Sequence, residues 1–338
     1  MIVKRAKSVK LYKGIKQLVF ALALGAAYLV LRLVSPFPEV LFPDTARMET
    51  VELLGGLLLF PALLLSSRFL AMRSELAPIG RIKAFVCRLN EKVFLGAAML
   101  IVFTASLIAS LLVLDGIPHV QDSIVTMYQA KIFASGRIGV PEPAHPEFFR
   151  YAFIKEENGL LHSKYLPTQS LLLVPGILIG APFLIEPLLA AITLLLIYLV
   201  SREMIGRNGA RGVVLLLLTS PFFIYMHASY FAHSSCLLFF TLCVLSLVRF
   251  VKTGRAAYAL LCTLSWGLMF NARPQTAYVL GMALLPFALA NLGEIKRKGR
   301  ALILSAFGLL PGVVVTLAYR YPFTGKPVSY THLTLPTN

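Results

Sequence analysis

In the stretch GIPHVQDSIVTMYQAK, Gly116 to Lys131, one carboxylate, Asp122, stands just after a long apolar run. A carboxylate fixed at a water-facing surface can take a proton from a hydroxyl, the work of a general base. Two cations occupy comparable settings. Arg273, in MFNARPQT, falls where one apolar run ends and the next begins, and Lys164, in HSKYLPTQS, immediately precedes a short apolar segment. A guanidinium grips phosphate through paired hydrogen bonds, and an ammonium ahead of a helix N-terminus reinforces that end's attraction for anions. Each residue also has a plainer reading: Asp122 as the N-cap of the helix that follows, Arg273 as a side chain reaching lipid phosphate, Lys164 as an interface anchor.

Other chemistry is poorly represented. Glu186, in LIEPLL, is an acid near the start of an apolar run, where it marks the interface. His227 and His233 do not share a helical face, and no carboxylate in their corner completes a metal site. No phosphate-binding glycine loop, nucleotide-binding motif or Ser-His-Asp order is present.

The elements that must position these residues follow from composition. Of 338 residues, 58% are hydrophobic and 14% charged. Soluble domains carry about 25% charged residues, so this is a polytopic membrane protein, all-α because a spanning segment must satisfy its backbone internally. The net charge of +17 does not point to nucleic acid: most of the 32 Lys and Arg lie in clusters between apolar runs. Positive-inside bias makes those clusters, and the N-terminus, cytoplasmic. Cys87, Cys236, Cys243 and Cys262 suggest no structural disulfide.

Spans are expected at Ile15–Val34, Val51–Leu70, Val93–Leu114, Pro182–Val200, Gly212–Tyr225, Tyr230–Val251, Ala256–Phe270, Thr276–Leu292 and Ala301–Ala318, a bundle of about 8–9 helices. The outer side receives Ser35–Glu49, the large loop 115–167 and two short corners. Thr168–Ala181 is too short to cross a core about 30 Å thick and is expected to be re-entrant or juxtamembrane. Within the large loop, Ile124, Tyr128 and Ile132, with Val125 and Phe133, form an apolar stripe of an interfacial helix. Gln121, Asp122, Ser123, Gln129 and Lys131 fall largely elsewhere. The prolines of VPEPAHP make the next piece extended.

The tail Val328–Asn338 breaks this pattern. VSYTHLTLPT equals the translation of a transposon-end sequencing adapter over ten consecutive codons. It is expected to be foreign to the protein, which removes His332 as a ligand candidate. A single membrane domain, 1–327, is expected, with the native chain continuing past about Pro327.

With these pieces in order, the chain resembles the GT-C fold glycosyltransferases that use polyprenyl-phosphate sugars. Their relatives include the protein O-mannosyltransferases and the aminoarabinose transferases acting on lipid A. HVQDSIVTMYQAKIFASGRI resembles the family's first outer loop, and SKYLPTQSLLLVPGILIGAP its Lys/Tyr-Pro segment before a short helix. SREMIGRNGARGVVLLLLTSP resembles its basic turn, and LMFNARPQTAY and YRYPFTGKP its later Arg-Pro and Tyr…Thr-Gly elements. The resemblance covers roughly Leu95 to Pro327. It implies Asp122 as the catalytic acid, Lys164 and Arg273 against the donor phosphate, and Tyr128, Tyr165 and His233 as lining. It also implies a polyprenyl-phosphate-linked sugar as donor and a lipid, glycan or protein as acceptor. The location implied is a bacterial or archaeal plasma membrane with the site extracytoplasmic. Ser123 stands where the family commonly has Glu, and PTQS replaces its usual Pro-Gly-His-Pro, which leaves metal use and acceptor open. The competing reading is a secondary transporter or flippase for an amphipathic lipid, which would show related halves and a site near the midplane.

Overall fold

The structure, a computed structural model, describes residues 85–145, 151, 153–290 and 299–325. The expected spans Ile15–Val34 and Val51–Leu70, the loop Ser35–Glu49, the tail 328–338 and the last residues of the span Thr276–Leu292 lie outside them. The chain divides into two compact units, Met1–Arg88 and Leu89–Asn338; the second carries every candidate residue.

Helices dominate that unit. α1, Glu91–Ile108, is capped by the Asn90 side chain and continues as a π-helical turn, Ala109–Val113. α2 is Gln121–Ala134. α3 is Thr168–Leu178 and continues past Pro175. A 3-10 turn, Pro182–Leu184, leads into α4, Ile185–Leu218. α5, Pro221–Met226, and α6, Ala232–Thr253, follow. The last three are α7, Ala256–Ala272, α8, Pro274–Ala290, and α9, Gly299–Thr324. Among the described residues, four segments are long and apolar enough to cross a membrane: Glu91–Val113, Pro182–Leu218, Ala232–Thr253 and Gly299–Thr324. With eleven residues, α3 spans only about 16 Å and stops short, as its length demanded. Large apolar side chains such as Leu112, Leu216 and Met282 remain exposed on the bundle, as hydrocarbon contact permits.

The expected Pro182–Val200 and Gly212–Tyr225 lie on two helical segments of α4 that meet at Gly206, whose φ of 76° and ψ of 175° are not helical and suit glycine. Two expectations are corrected. Gly212–Tyr225 ends early, because Ser220 precedes Pro221, is pushed to an extended conformation, and caps α5 by accepting from the Phe223 N–H. The second correction is that the outer loop is not only helix and extended chain. It holds a three-stranded antiparallel sheet ordered β1-β3-β2, with β1 Val140–Pro141, β2 Ile154–Glu157 and β3 Leu160–Ser163. The β2–β3 turn is Asn158-Gly159, both at positive φ, the two-residue turn whose twist matches a hairpin.

Helix pairing relies on small residues where apolar surface alone gives no preference. Gly308 and Gly312 on α9 face Thr263 and Gly267 on α7, and the two backbones approach so closely that the Gly312 Cβ position lies 2.8 Å from Gly267 Cα. Asn271, fully buried near the end of α7, seals the contact. Its Nδ2 donates to the Gly312 carbonyl at 2.8 Å, and its Oδ1 accepts from Thr316 at 2.8 Å. The basic residues gather at the other end of the bundle: Arg202 and Arg207 pair with Glu91 at 2.7 and 3.3 Å, and Lys252 with Glu203 at 2.8 Å.

Candidate active site

α2 begins with Val120 as its N-cap residue, and the Ser123 hydroxyl accepts from the Val120 N–H and donates to its carbonyl. Asp122 is therefore not the cap; it is the second residue of the helix. Its Oδ1 instead accepts from the Tyr165 hydroxyl. Burial raises the Tyr165 pKa, and the hydrogen bond to Asp122 and its negative charge raise it further, with Arg273 opposing. The phenol thus keeps its proton and acts as donor to the carboxylate.

The Arg273 guanidinium extends from the residue that ends α7. Its Nε donates to Thr276 at 3.2 Å, and Nη1 lies 2.7 Å from His233 Nε2 and 2.9 Å from Nδ1. An arginine only donates, so the imidazole accepts here and is neutral toward it. His233 is within electrostatic range of both Asp122 and Arg273, as is Tyr165. Asp122, Tyr165, His233 and Arg273, expected from four separate segments, are brought together, each only partly buried.

Lys164 and Tyr128 are not. Lys164 follows β3 immediately, and consecutive residues leaving a strand point to opposite sides. Its Nζ lies 5.1 Å from the centroid of the Phe153 ring, and Tyr165 packs on the same ring with centroids 5.5 Å apart. Lys164 and Tyr165 thus share the Phe153 ring as a neighbour, and no hydrogen bond or ion pair among the described residues joins Lys164 to Asp122, His233 or Arg273. Tyr128 is half-buried on α2, where burial raises its pKa, and no hydrogen bond, ion pair or ring contact joins it to Asp122, Tyr165 or Arg273.

Neighbouring elements fix the cluster. Gln129, on α2, is fully buried: its Nε2 donates to the Ile138 carbonyl at 2.7 Å and its Oε1 accepts from the Ser163 N–H at 2.8 Å. That ties β3, and with it Tyr165, to the helix carrying Asp122. Ser170 on α3 donates to the Thr126 carbonyl at 3.0 Å. Met127, Ala130, Leu173 and Tyr230 close the space between α2 and α3. The expected amphipathic stripe is corrected accordingly. Ser123, Thr126, Met127, Gln129 and Ala130 are buried along with Val125 and Ile132, while Ile124, Tyr128 and Phe133 are only partly covered. The helix is enclosed by protein on several sides, which its spacing alone does not reveal.

Glu186 was also misplaced by the sequence. It is fully buried, accepting from Gln169 on α3 and Ser234 on α6, the residue beside His233. Partners seventeen and forty-eight residues away leave no local signal. Among the described residues no group of three His, Cys, Asp or Glu could hold a metal ion.

Helices long and apolar enough to cross a membrane point to an integral membrane protein, with a polar cluster as the candidate site. Over residues 171–319, from α3 into α9, the chain matches the family profile described as dolichyl-phosphate-mannose-protein mannosyltransferase. The match supports a GT-C-type membrane glycosyltransferase with a lipid-linked sugar donor, and the resemblance drawn from the motifs is borne out over that stretch. The matched stretch contains His233 and Arg273; Asp122, Lys164 and Tyr165 precede it. No curated protein and no solved structure matches the chain.

Proposed function

We propose that the protein transfers a sugar from a polyprenyl-phosphate donor to an acceptor hydroxyl on the extracytoplasmic side, with Asp122 as general base. The observation that carries this reading is the convergence of Asp122, Tyr165, His233 and Arg273 at the end of the bundle opposite the basic clusters. Asp122 Oδ1 is occupied by Tyr165, which fixes the carboxylate and leaves Oδ2 to take the acceptor proton. The acceptor oxygen then bonds to the anomeric carbon, and the bond from that carbon to the phosphate oxygen breaks. The polyprenyl phosphate departs with that bond's electrons, its charge met by the Arg273 guanidinium that His233 and Thr276 hold in place. One displacement inverts the anomeric centre.

The test is transfer of radiolabelled sugar from polyprenyl phosphate in membranes holding equal amounts of wild type and Asp122→Asn. Loss of a positioned base lowers turnover by roughly 10²–10⁴-fold with donor binding retained. Unchanged turnover, or retention at the anomeric centre by NMR, rejects the assignment.

A further inference from the structure

Glu186 is the second residue of α4, and its side chain is fully buried. Burying a carboxyl group is costly, and a leucine would fill the same space at less cost. What the group holds accounts for its presence. One oxygen accepts from Gln169, the second residue of α3, and the other from Ser234, the third residue of α6. Gln169 and Ser234 are themselves 2% and 0% exposed. The three side chains thus form a buried bridge from α3 to α6, mounted on α4 between the 3-10 turn Pro182–Leu184 and Pro187.

The two ends of this bridge reach the two halves of the polar cluster. On the α3 side, Gln169 lies four residues past Tyr165, which donates to Asp122. Its neighbour Ser170 donates to the carbonyl of Thr126 at 3.0 Å, and the Thr126 hydroxyl holds the Asp122 carbonyl at 2.7 Å. On the α6 side, Ser234 adjoins His233, which accepts from Arg273 Nη1 at 2.7 Å. The first turn of α6 has no side-chain cap and no acidic residue of its own. Phe231 meets the His233 ring edge-on, with centroids 5.5 Å apart, and steadies the plane of the ring. The turn that carries the ring is pinned by Glu186. A guanidinium steered by an imidazole is placed no better than the imidazole itself.

We propose that Glu186 is a positioning residue for the donor phosphate: through Ser234 it sets the first turn of α6, and with it His233 and the direction of the Arg273 fork. This role rests on the proposed transfer, in which Arg273 meets the departing phosphate. Substitution separates the bridge from the charge. Glutamine keeps both links: its Oε1 accepts from Gln169, and its Nε2 donates to Ser234, whose hydroxyl then turns to the Phe231 carbonyl 2.8 Å away. Leucine keeps the volume and loses both.

The experiment measures equilibrium binding of a polyprenyl phosphate to the full chain in lipid nanodiscs. Glu186→Leu and Ser234→Ala are each expected to weaken binding roughly tenfold, the scale of one charge-assisted hydrogen bond, and Glu186→Gln to bind as wild type does. His233→Ala weakens binding by itself, and adding Glu186→Leu or Ser234→Ala to it should cost nothing further, because the residue through which they act is gone. A merely structural role gives the full loss in both backgrounds and overturns the proposal, as does wild-type binding by Glu186→Leu. Glu186→Gln binding as weakly as Glu186→Leu overturns it too, since the charge and not the bridge is then what counts. Where Glu186→Leu does not fold, Ser234→Ala, which removes a single oxygen, decides by the same comparison. Arg273→Gln keeps the two possible failures apart. If it weakens binding while Glu186→Leu does not, only the role of Glu186 falls; if it binds as tightly as wild type, the donor site at Arg273 falls.

Discussion

Replacing Gly312 by alanine tests whether the close approach of α7 and α9 sets the position of Arg273. The new Cβ would meet Gly267 Cα at 2.8 Å, its carbonyl carbon at 2.9 Å and its oxygen at 3.0 Å. Carbon atoms rest about 3.5–4.0 Å apart, so the helices must separate by roughly 0.7–1 Å, and the obstacle is backbone that cannot rotate away. Overpacking of this kind costs about 1–3 kcal/mol. Separation also stretches the bond from Asn271 to the Gly312 carbonyl, now 2.8 Å, worth about 0.5–1.5 kcal/mol. Against this, alanine gains about 0.8–1.0 kcal/mol of helix propensity. The clash wins, with a net loss of about 1–3 kcal/mol and a fall in Tm of roughly 2–8 °C. Gly96→Ala is the control, since a Cβ there meets nothing within 4 Å and only the propensity gain remains. The assay is thermal unfolding of both variants in the same lipid, followed by transfer activity below the transition. Arg273 lies two residues beyond Asn271, so turnover should fall in Gly312→Ala and not in Gly96→Ala. A Gly312→Ala protein that unfolds at or above the wild-type temperature refutes the packing argument.

Two further outcomes follow from the outer segments. Gln129→Leu keeps the side-chain volume and strips both hydrogen bonds; Ile138 is 40% exposed and its carbonyl regains water, whereas Ser163 is buried and its N–H does not. The expected loss is about 1–3 kcal/mol by thermal unfolding, with lower turnover because Tyr165 follows Ser163; an unchanged Tm contradicts the role given to Gln129. His227 is 1% exposed, and burial pulls its pKa down to about 4. Between about 6.5 and 4 the unfolded chain takes up the proton and the folded chain does not. Stability is therefore full above pH 6.5 and declines as pH falls toward 4, by about 3 kcal/mol in all. His227→Gln should flatten that slope in unfolding measured across the range, and an equal slope in the variant assigns the acid sensitivity elsewhere.

The sequence made the helices legible because their apolar runs end at charges, prolines and glycines. α6, α7, α8 and α9 begin within a few residues of where those signals place them. The hairpin's turn signal, Asn158-Gly159, stands in the sequence too, but the charged Lys155-Glu156-Glu157 before it read as polar loop. What period and composition could not supply was the environment of α2. An apolar stripe looks the same whether it meets lipid or protein, and the buried Gln129 looks polar until the strand that satisfies it is in place. The same limit hid Glu186, whose partners come from α3 and α6.

Lys164 and Tyr165 show how far adjacency in sequence can mislead about function. Read as one motif, the pair belongs to one site; read as consecutive residues leaving a strand, they must diverge. Both lie against the Phe153 ring, but Tyr165 donates to Asp122 while Lys164 lines a small cleft beside α9. The Asp122 carboxylate is held by a phenol that burial and Asp122 together keep from ionising. Arg273 is held by His233 and Thr276, whereas Lys164 lies over an aromatic face without a hydrogen bond or ion pair to that cluster. On the proposed transfer, Arg273→Lys therefore costs more turnover in the radiolabelled-sugar assay than Lys164→Arg, because the fork that His233 and Thr276 hold is lost at the first position and a cation is kept at the second; equal losses contradict the separate placement of the two cations.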